Sequence, residues 1–165
     1  MLALLTHYSL LHFRMTSVAK HIDLGRRGEE FALAYLLRLG FRIVGTNFAI
    51  PVGRNRVGTP IVAEIDIVAY DGDVLCFIEV KARASAWFAE PEVNVDLRKR
   101  RQIARAARAY RRMFGLEKAR YRYDVVTLVI PEDLKPSISP DIRLLRSYWR
   151  EDQLKKRVWS DRYYD

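Results

Sequence analysis

The stretch that most limits what this chain can fold into runs from Ile61 to Ala82, two β-rich runs separated by Asp71-Gly72. Ile61 to Tyr70 and Val74 to Ala82 are rich in β-branched and aromatic residues. Asp-Gly between two such runs is a strong hairpin signal. Strand side chains alternate, which predicts Glu64, Asp66 and Val68 on one face and Ile65 and Ile67 on the other. In the second run Phe77, Glu79 and Lys81 share a face, opposite Ile78 and Val80. A two-residue turn at Asp71-Gly72 pairs Tyr70 with Asp73 and, counting outward, Glu64 with Glu79. Asp66 is then the diagonal neighbour of Glu79, about 7 Å away. A three-residue turn would send the acids to opposite faces.

Like charges directly across a sheet repel. Here Ile, Val and Phe flank them, so the repulsion is poorly screened and calls for compensation. Cys76 is the single cysteine, and His7, His12 and His21 are the only histidines, so a metal site in this chain has to be built from carboxylates. A hard divalent cation bound through oxygen fits that donor set, magnesium (or manganese) first, because it binds through one or two carboxylates and keeps water and phosphate as further ligands. Asp66 and Glu79 are the expected ligands, with the Val80 carbonyl as a further one. Lys81, one step beyond Glu79 on the same face, would orient or deprotonate a water or neutralise an attacked phosphate. The competing reading is a structural cluster in which Lys81 pairs with Glu79 and the other acids face solvent.

Around this hairpin the chain reads as one α/β domain with helices flanking a central mixed sheet. Residues 25–39 form a helix between Asp23, a candidate cap, and Gly40. Residues 41–49 are a first strand, and Pro51 to Pro60, with two prolines and two glycines, is a loop. Leu97 to Phe114 is a second helix, Tyr123 to Ile130 another strand and Ile142 to Ser147 a last short one. The resulting division is an N-terminal extension (1–22), a domain (23–147) and a charged, aromatic tail (148–165). The apolar run Leu2 to Phe13 is too short for a membrane span and lacks the flanks of a signal peptide, so a cytoplasmic protein without a membrane is expected. Cys76 falls on the face opposite the acids, as a buried thiol.

Twenty-nine Lys and Arg against 20 Asp and Glu leave a formal charge of +9, which favours a polyanionic partner, nucleic acid before a membrane surface. On the second helix Ile103, Ala107, Tyr110 and Phe114 form the core stripe, while Arg101, Arg105, Arg108 and Arg112 cluster opposite. A solvated helix face usually mixes signs for i,i+4 pairing, yet residues 97–116 contain no acid at all. A one-signed stripe suits phosphate contacts. Lys99 projects at the edge of the core stripe, where it either reaches the carboxylates or extends to water. Arg54 and Arg56 in the loop and Arg83 at the strand end add basic groups near the expected site. Trp87 and Phe88 are read as a satellite core. The tail, with Trp149, Trp159, Tyr163 and Tyr164 among its basic residues, suits a nucleic-acid arm, a homodimer contact or a docked helix.

Asp66 followed by Glu79-Val80-Lys81 resembles the Asp…(Asp/Glu)-x-Lys core of restriction-endonuclease-like nucleases. More narrowly, the chain resembles the YraN family of small bacterial endonuclease-like proteins. The matching stretches are Gly25-x-x-Gly28-Glu29-x-x-Ala32, Tyr35-Leu36, Thr46-Asn47, Glu64-Ile65-Asp66, Phe77 to Arg83, Lys99-Arg100-Arg101 and Tyr123 to Val126. Ala63 stands where that family usually has glycine, and the loop at 51–60 is longer than its pattern. The resemblance implies a restriction-endonuclease-like fold, nucleic-acid binding (DNA before RNA) and a magnesium-dependent endonuclease, branched DNA being one candidate substrate. It also implies that the first helix brings a glutamate to the metal centre. Glu29 lies within the apolar arc of that helix, unlike Glu30, and is the expected residue, with Glu64 a further acid of the patch. The alternative is a non-catalytic nucleic-acid-binding module on the same fold.

Overall fold

The computed structural model describes residues 22–84, 95–131 and 139–154. Trp87, Phe88, the extension up to residue 21 and the tail beyond Leu154 lie outside the described residues. A helix α1 (22–38) is followed by strands β1 (Arg42–Arg54), β2 (Pro60–Asp71) and β3 (Val74–Arg83). Helix α2 (Leu97–Met113), strands β4 (Tyr121–Val129) and β5 (Asp141–Trp149), and a single 3-10 turn at Glu151–Leu154 complete the order. The five strands lie in sequence order in one mixed sheet, antiparallel except for the β3–β4 pair, whose connection carries α2. This is the helix-flanked α/β sheet that the sequence and the resemblance led us to expect.

Each helix covers one face. Ala32 and Leu36 of α1 pack with Phe41, Ile67, Ala69, Cys76, Ile78, Val126 and Leu128. On the other face Ile103, Ala104, Ala106, Ala107 and Tyr110 of α2 pack with Ala63, Ile65, Val68, Leu75, Phe77, Tyr123 and Val125. Gly28 sets how closely α1 approaches. A Cβ built there would lie 2.5 Å from Cβ of Ala82 on β3. Asp96 caps α2, its carboxylate accepting from the Lys99 N–H at 2.7 Å, and this fixes the first turn over the sheet. Asp23 lies inside α1 and pairs with Arg26 at 3.1 Å, so it is not the cap expected of it.

Three further expectations need correction. Residues 51–60 are not a free loop, because β1 and β2 continue as a hairpin to Arg54 and Pro60. Asn55 closes its tip by accepting from Val57 N at 3.0 Å and Thr59 N at 2.9 Å. Pro51 is tolerated because β1 is an edge strand, with a register irregularity between Pro51 and Gly53. The turn between β2 and β3 is Gly72-Asp73, with Asp71 opposite Val74 and Gly72 at φ +61°, the first turn position that glycine favours in a II′ hairpin. Phe114, expected in the core stripe, is 55% exposed at the helix end, although its ring lies 4.6 Å from that of Tyr110.

Candidate metal and nucleic-acid site

The corrected turn moves the register by two residues, which by itself keeps strand parity but changes the partners. Paired positions run from Asp71–Val74 to Ile67–Ile78, and the next step places Asp66, not Glu64, opposite Glu79. The ladder ends there because the Asp66 carboxylate enters it, accepting from the Val80 N–H at 2.7 Å. Strand β2 also switches faces at this point. Ile65 packs in the α2 core and Ile67 in the α1 core although they are two residues apart, which breaks the alternation expected of Glu64, Asp66 and Val68. Opposite Asp66, between the Thr46–Ile67 and Phe48–Ile65 pairs, Asn47 adopts φ +51°. Asparagine tolerates that left-handed conformation better than most residues. Thr46-Asn47 and Asp66 thus belong to one local distortion that turns a carboxylate into the gap between β2 and β3.

Glu79 sits beside it, 1% exposed, on the face covered by α2. Its Oε1 is 2.8 Å from Lys81 Nζ, and its Oε2 is 3.2 Å from Lys99 Nζ. Lys99 therefore reaches the carboxylates, the first of the two alternatives left open by its place on the helix. That second oxygen is buried without an aligned hydrogen bond, so Lys99 acts on it mainly through charge. Burial lifts the Asp66 carboxyl and the Glu79 charge lifts it further, to about 7; the Val80 N–H and Lys99 oppose this, and Glu29 adds a smaller push upward. Burial pulls the Lys99 ammonium down, but Glu79, Asp66 and Glu64 outweigh it and hold Lys99 above its usual range.

Glu29 is half-buried on α1, next to the Gly28 contact with β3, and its charge is felt at Asp66. Glu30 is exposed and paired with Arg26 at 2.6 Å. Glu64 is exposed and acts on Lys99 through charge. Among the described residues no three Asp, Glu, His or Cys side chains converge tightly enough to hold a metal ion by themselves. The pair Asp66 and Glu79 does adjoin, and its donor chemistry suits a hard cation: a carboxyl made reluctant to ionise by burial and then by a second acid, and a buried carboxylate oxygen lacking an aligned hydrogen bond.

The basic groups divide differently from expectation. Arg108 pairs with Glu151 at 2.7 Å, and Arg101 Nε donates to the Leu154 carbonyl at 3.1 Å. Glu151 also accepts from the Tyr123 hydroxyl at 2.7 Å. The start of the tail thus docks on α2 and occupies half of the arginine stripe, leaving Arg105 and Arg112 exposed. No pattern within α2 could have revealed this, because the acid lies on a distant segment. Arg54 and Arg56 stand at the hairpin tip, and Arg54 Nη1 donates to the Gly58 carbonyl at 2.7 Å. Arg54 pairs with Pro60, six residues and so about 20 Å along β2 from Asp66, which corrects their placement near the site. Arg83 lines a shallow depression with Lys81, Thr127 and Arg143; the last two carried no signal in the sequence. No helix among the described residues is long and apolar enough to cross a membrane.

Comparison with known proteins gives a consistent picture. Residues 28–128 match the pattern described as uncharacterised protein family UPF0102. A UPF0102 protein of Koribacter versatilis is 37% identical over 128 residues, 78% of this chain and 80% of its own length. One from Geobacter sulfurreducens is 42% identical over 118 residues, 72% of this chain and 79% of its own. The matched region contains α1 from Gly28, the Asp66–Glu79 pair, Lys81 and Lys99. The chain belongs to the UPF0102 family, which is the YraN family its motifs resemble.

Proposed function

We propose that this protein binds nucleic acid and hydrolyses phosphodiester bonds in DNA with a divalent cation, magnesium or manganese, held at Asp66 and Glu79. The observation that carries the reading is the buried Glu79 carboxylate beside Asp66, a pair of acids in low dielectric that Lys81 and Lys99 offset only in part, since the Asp66 carboxyl stays raised. The Val80 carbonyl would be a further ligand, and Glu29, whose charge is felt at Asp66, would act on the ion from longer range. When bound, the ion would supply Lewis-acid stabilisation of a phosphoryl oxygen and a more acidic water. The chain's own residues do the rest. The Val80 N–H holds the Asp66 carboxylate in the gap between the strands. Lys81, more open to solvent than Glu79, presents its ammonium towards an incoming phosphate while Glu79 orients it. Lys99, anchored by the Asp96 cap, sets its ammonium 3.2 Å from Glu79 Oε2.

One observation favours the second reading, a binding module without catalysis: both oxygens of Glu79 already face ammonium groups. A cleavage screen separates the two. The protein with magnesium or manganese is offered duplex, single-stranded, flap and four-way-junction DNA, alongside Lys81→Ala. Metal-dependent cleavage by the wild type, lost in Lys81→Ala, is expected. Binding to these substrates with no cleavage under either metal would leave the module.

A further inference from the structure

The α2-side face of the sheet continues past Glu79 towards β5. Registers across three strands place Glu79, Val125 and Leu145 in one row, then Lys81, Thr127 and Arg143, then Arg83, Val129 and Asp141. Directly opposed residues lie on the same face. Val125 and Leu145 belong to the α2-side core, whereas Val80, Leu128 and Ile142 belong to the α1 side, so the Lys81–Thr127–Arg143 row points to the α2 side. There the sheet forms a depression lined by Lys81, Arg83, Thr127, Asp141 and Arg143, three cations to one acid. Arg143 is 62% exposed, and among the described residues it pairs with Asp141 at 3.6 Å, a loose pair that leaves much of the guanidinium open to be shared. Strands β3 and β5 are two steps apart, about 10 Å. Two long side chains can close over that distance on a tetrahedral anion, with the threonine on the floor between them.

We propose that Lys81, Thr127 and Arg143 form a phosphate-binding row that holds the backbone of a nucleic-acid strand next to the Asp66–Glu79 pair. The row rests on the functional reading above and adds to it a direction: the strand runs across β3, β4 and β5, away from α2. Arginine supplies the planar fork that phosphate oxygens favour, and Asp141 competes for it. Removing Arg143 and removing Asp141 must therefore have opposite effects.

The test is fluorescence anisotropy of a labelled 20-base-pair duplex and its single strand, in EDTA so that no cleavage intervenes, across a salt series. Arg143→Gln should weaken duplex binding and reduce the slope of log affinity against log salt by about 0.9, the counterion release of one phosphate contact. Thr127→Val should weaken binding a few-fold with the slope unchanged, and Asp141→Asn should tighten it. Arg143→Glu, at the same exposed site, guards against an effect of lost packing and should weaken binding further. Wild-type binding with an unchanged affinity and slope in Arg143→Gln would overturn the row and leave the functional reading standing. A wild type that binds neither duplex nor single strand would overturn that reading and the row with it. Loss of binding to phosphatidylserine vesicles in Arg143→Gln, with the DNA isotherm unchanged, would overturn it in favour of a membrane surface.

Discussion

Gly28→Ala adds one methyl group at the closest contact between α1 and the sheet. Its Cβ would lie 2.5 Å from Cβ of Ala82 and 3.8 Å from Cγ1 of Val80. Non-bonded carbons are at ease near 3.5–4.0 Å, so helix and strand must separate by about 1 Å. Overpacking of this kind costs about 1–3 kcal/mol. Alanine in place of glycine within a helix returns about 1 kcal/mol of propensity. The expected net loss is about 1 kcal/mol, or about 2–4 °C in Tm for a domain of this size. Urea unfolding of four proteins measures it: wild type, Gly28→Ala, Ala82→Gly and the double variant. The double variant has room for the new methyl group, so the cycle should show a favourable coupling of about 1 kcal/mol or more. Because Glu29 is the next residue, the single variant should also shift its carboxylate relative to Asp66. A Gly28→Ala protein more stable than wild type, with no coupling to Ala82→Gly, would refute the close packing of α1 on β3.

The remaining predictions concern the charges. Asp66→Asn keeps an acceptor for the Val80 N–H and removes the reluctant carboxylate, so the metal-free protein should become more stable. The folded carboxyl sits at about 7, raised from 3.8. Ionisation therefore favours the unfolded chain, a destabilisation that begins as pH rises through the unfolded value and is complete above the folded one. At 1.36 kcal/mol per unit this approaches ~4 kcal/mol, and solvent screening of a partly exposed group reduces it to ~2. Thermal unfolding in EDTA should show the gain at pH 8, less than half of it at pH 5 and none below pH 4; equal stability at pH 8 would contradict this. Lys99→Met removes one of two partners of the buried Glu79 and should cost about 1–2 kcal/mol in urea. Manganese should recover part of that loss, and an identical midpoint in wild type and variant would remove Lys99 from the site.

The shared face of Glu79 and Lys81 on β3 was legible in the sequence because strand alternation holds along that strand whatever the register. The partner was not. Asp71-Gly72 reads as the centre of the turn, but glycine occupies the first turn position here, and Asp66 replaces Glu64 opposite Glu79. The change of face at Asp66 was also hidden, since it depends on a carboxylate entering the ladder rather than on any run of residue types. Lys99 was legible as a polar residue at the margin of an apolar stripe. The engagement of Arg101 and Arg108 was not, because their partners are brought in from residues 151–154 by the fold. Prolines and glycines at 51–60 read as a loop, yet an edge strand accommodates them without losing the pairing that matters.

The central claim is that Asp66 and Glu79 hold a divalent cation, and isothermal calorimetry with manganese tests it most directly. The wild type should bind one equivalent, with affinity that rises between pH 6 and 8 as Asp66 releases its proton to solvent and its carboxylate becomes free for the ion. Asp66→Ala and Glu79→Ala should each abolish that heat while leaving affinity for DNA in EDTA close to wild type. Manganese binding of unchanged affinity in both variants would contradict the account.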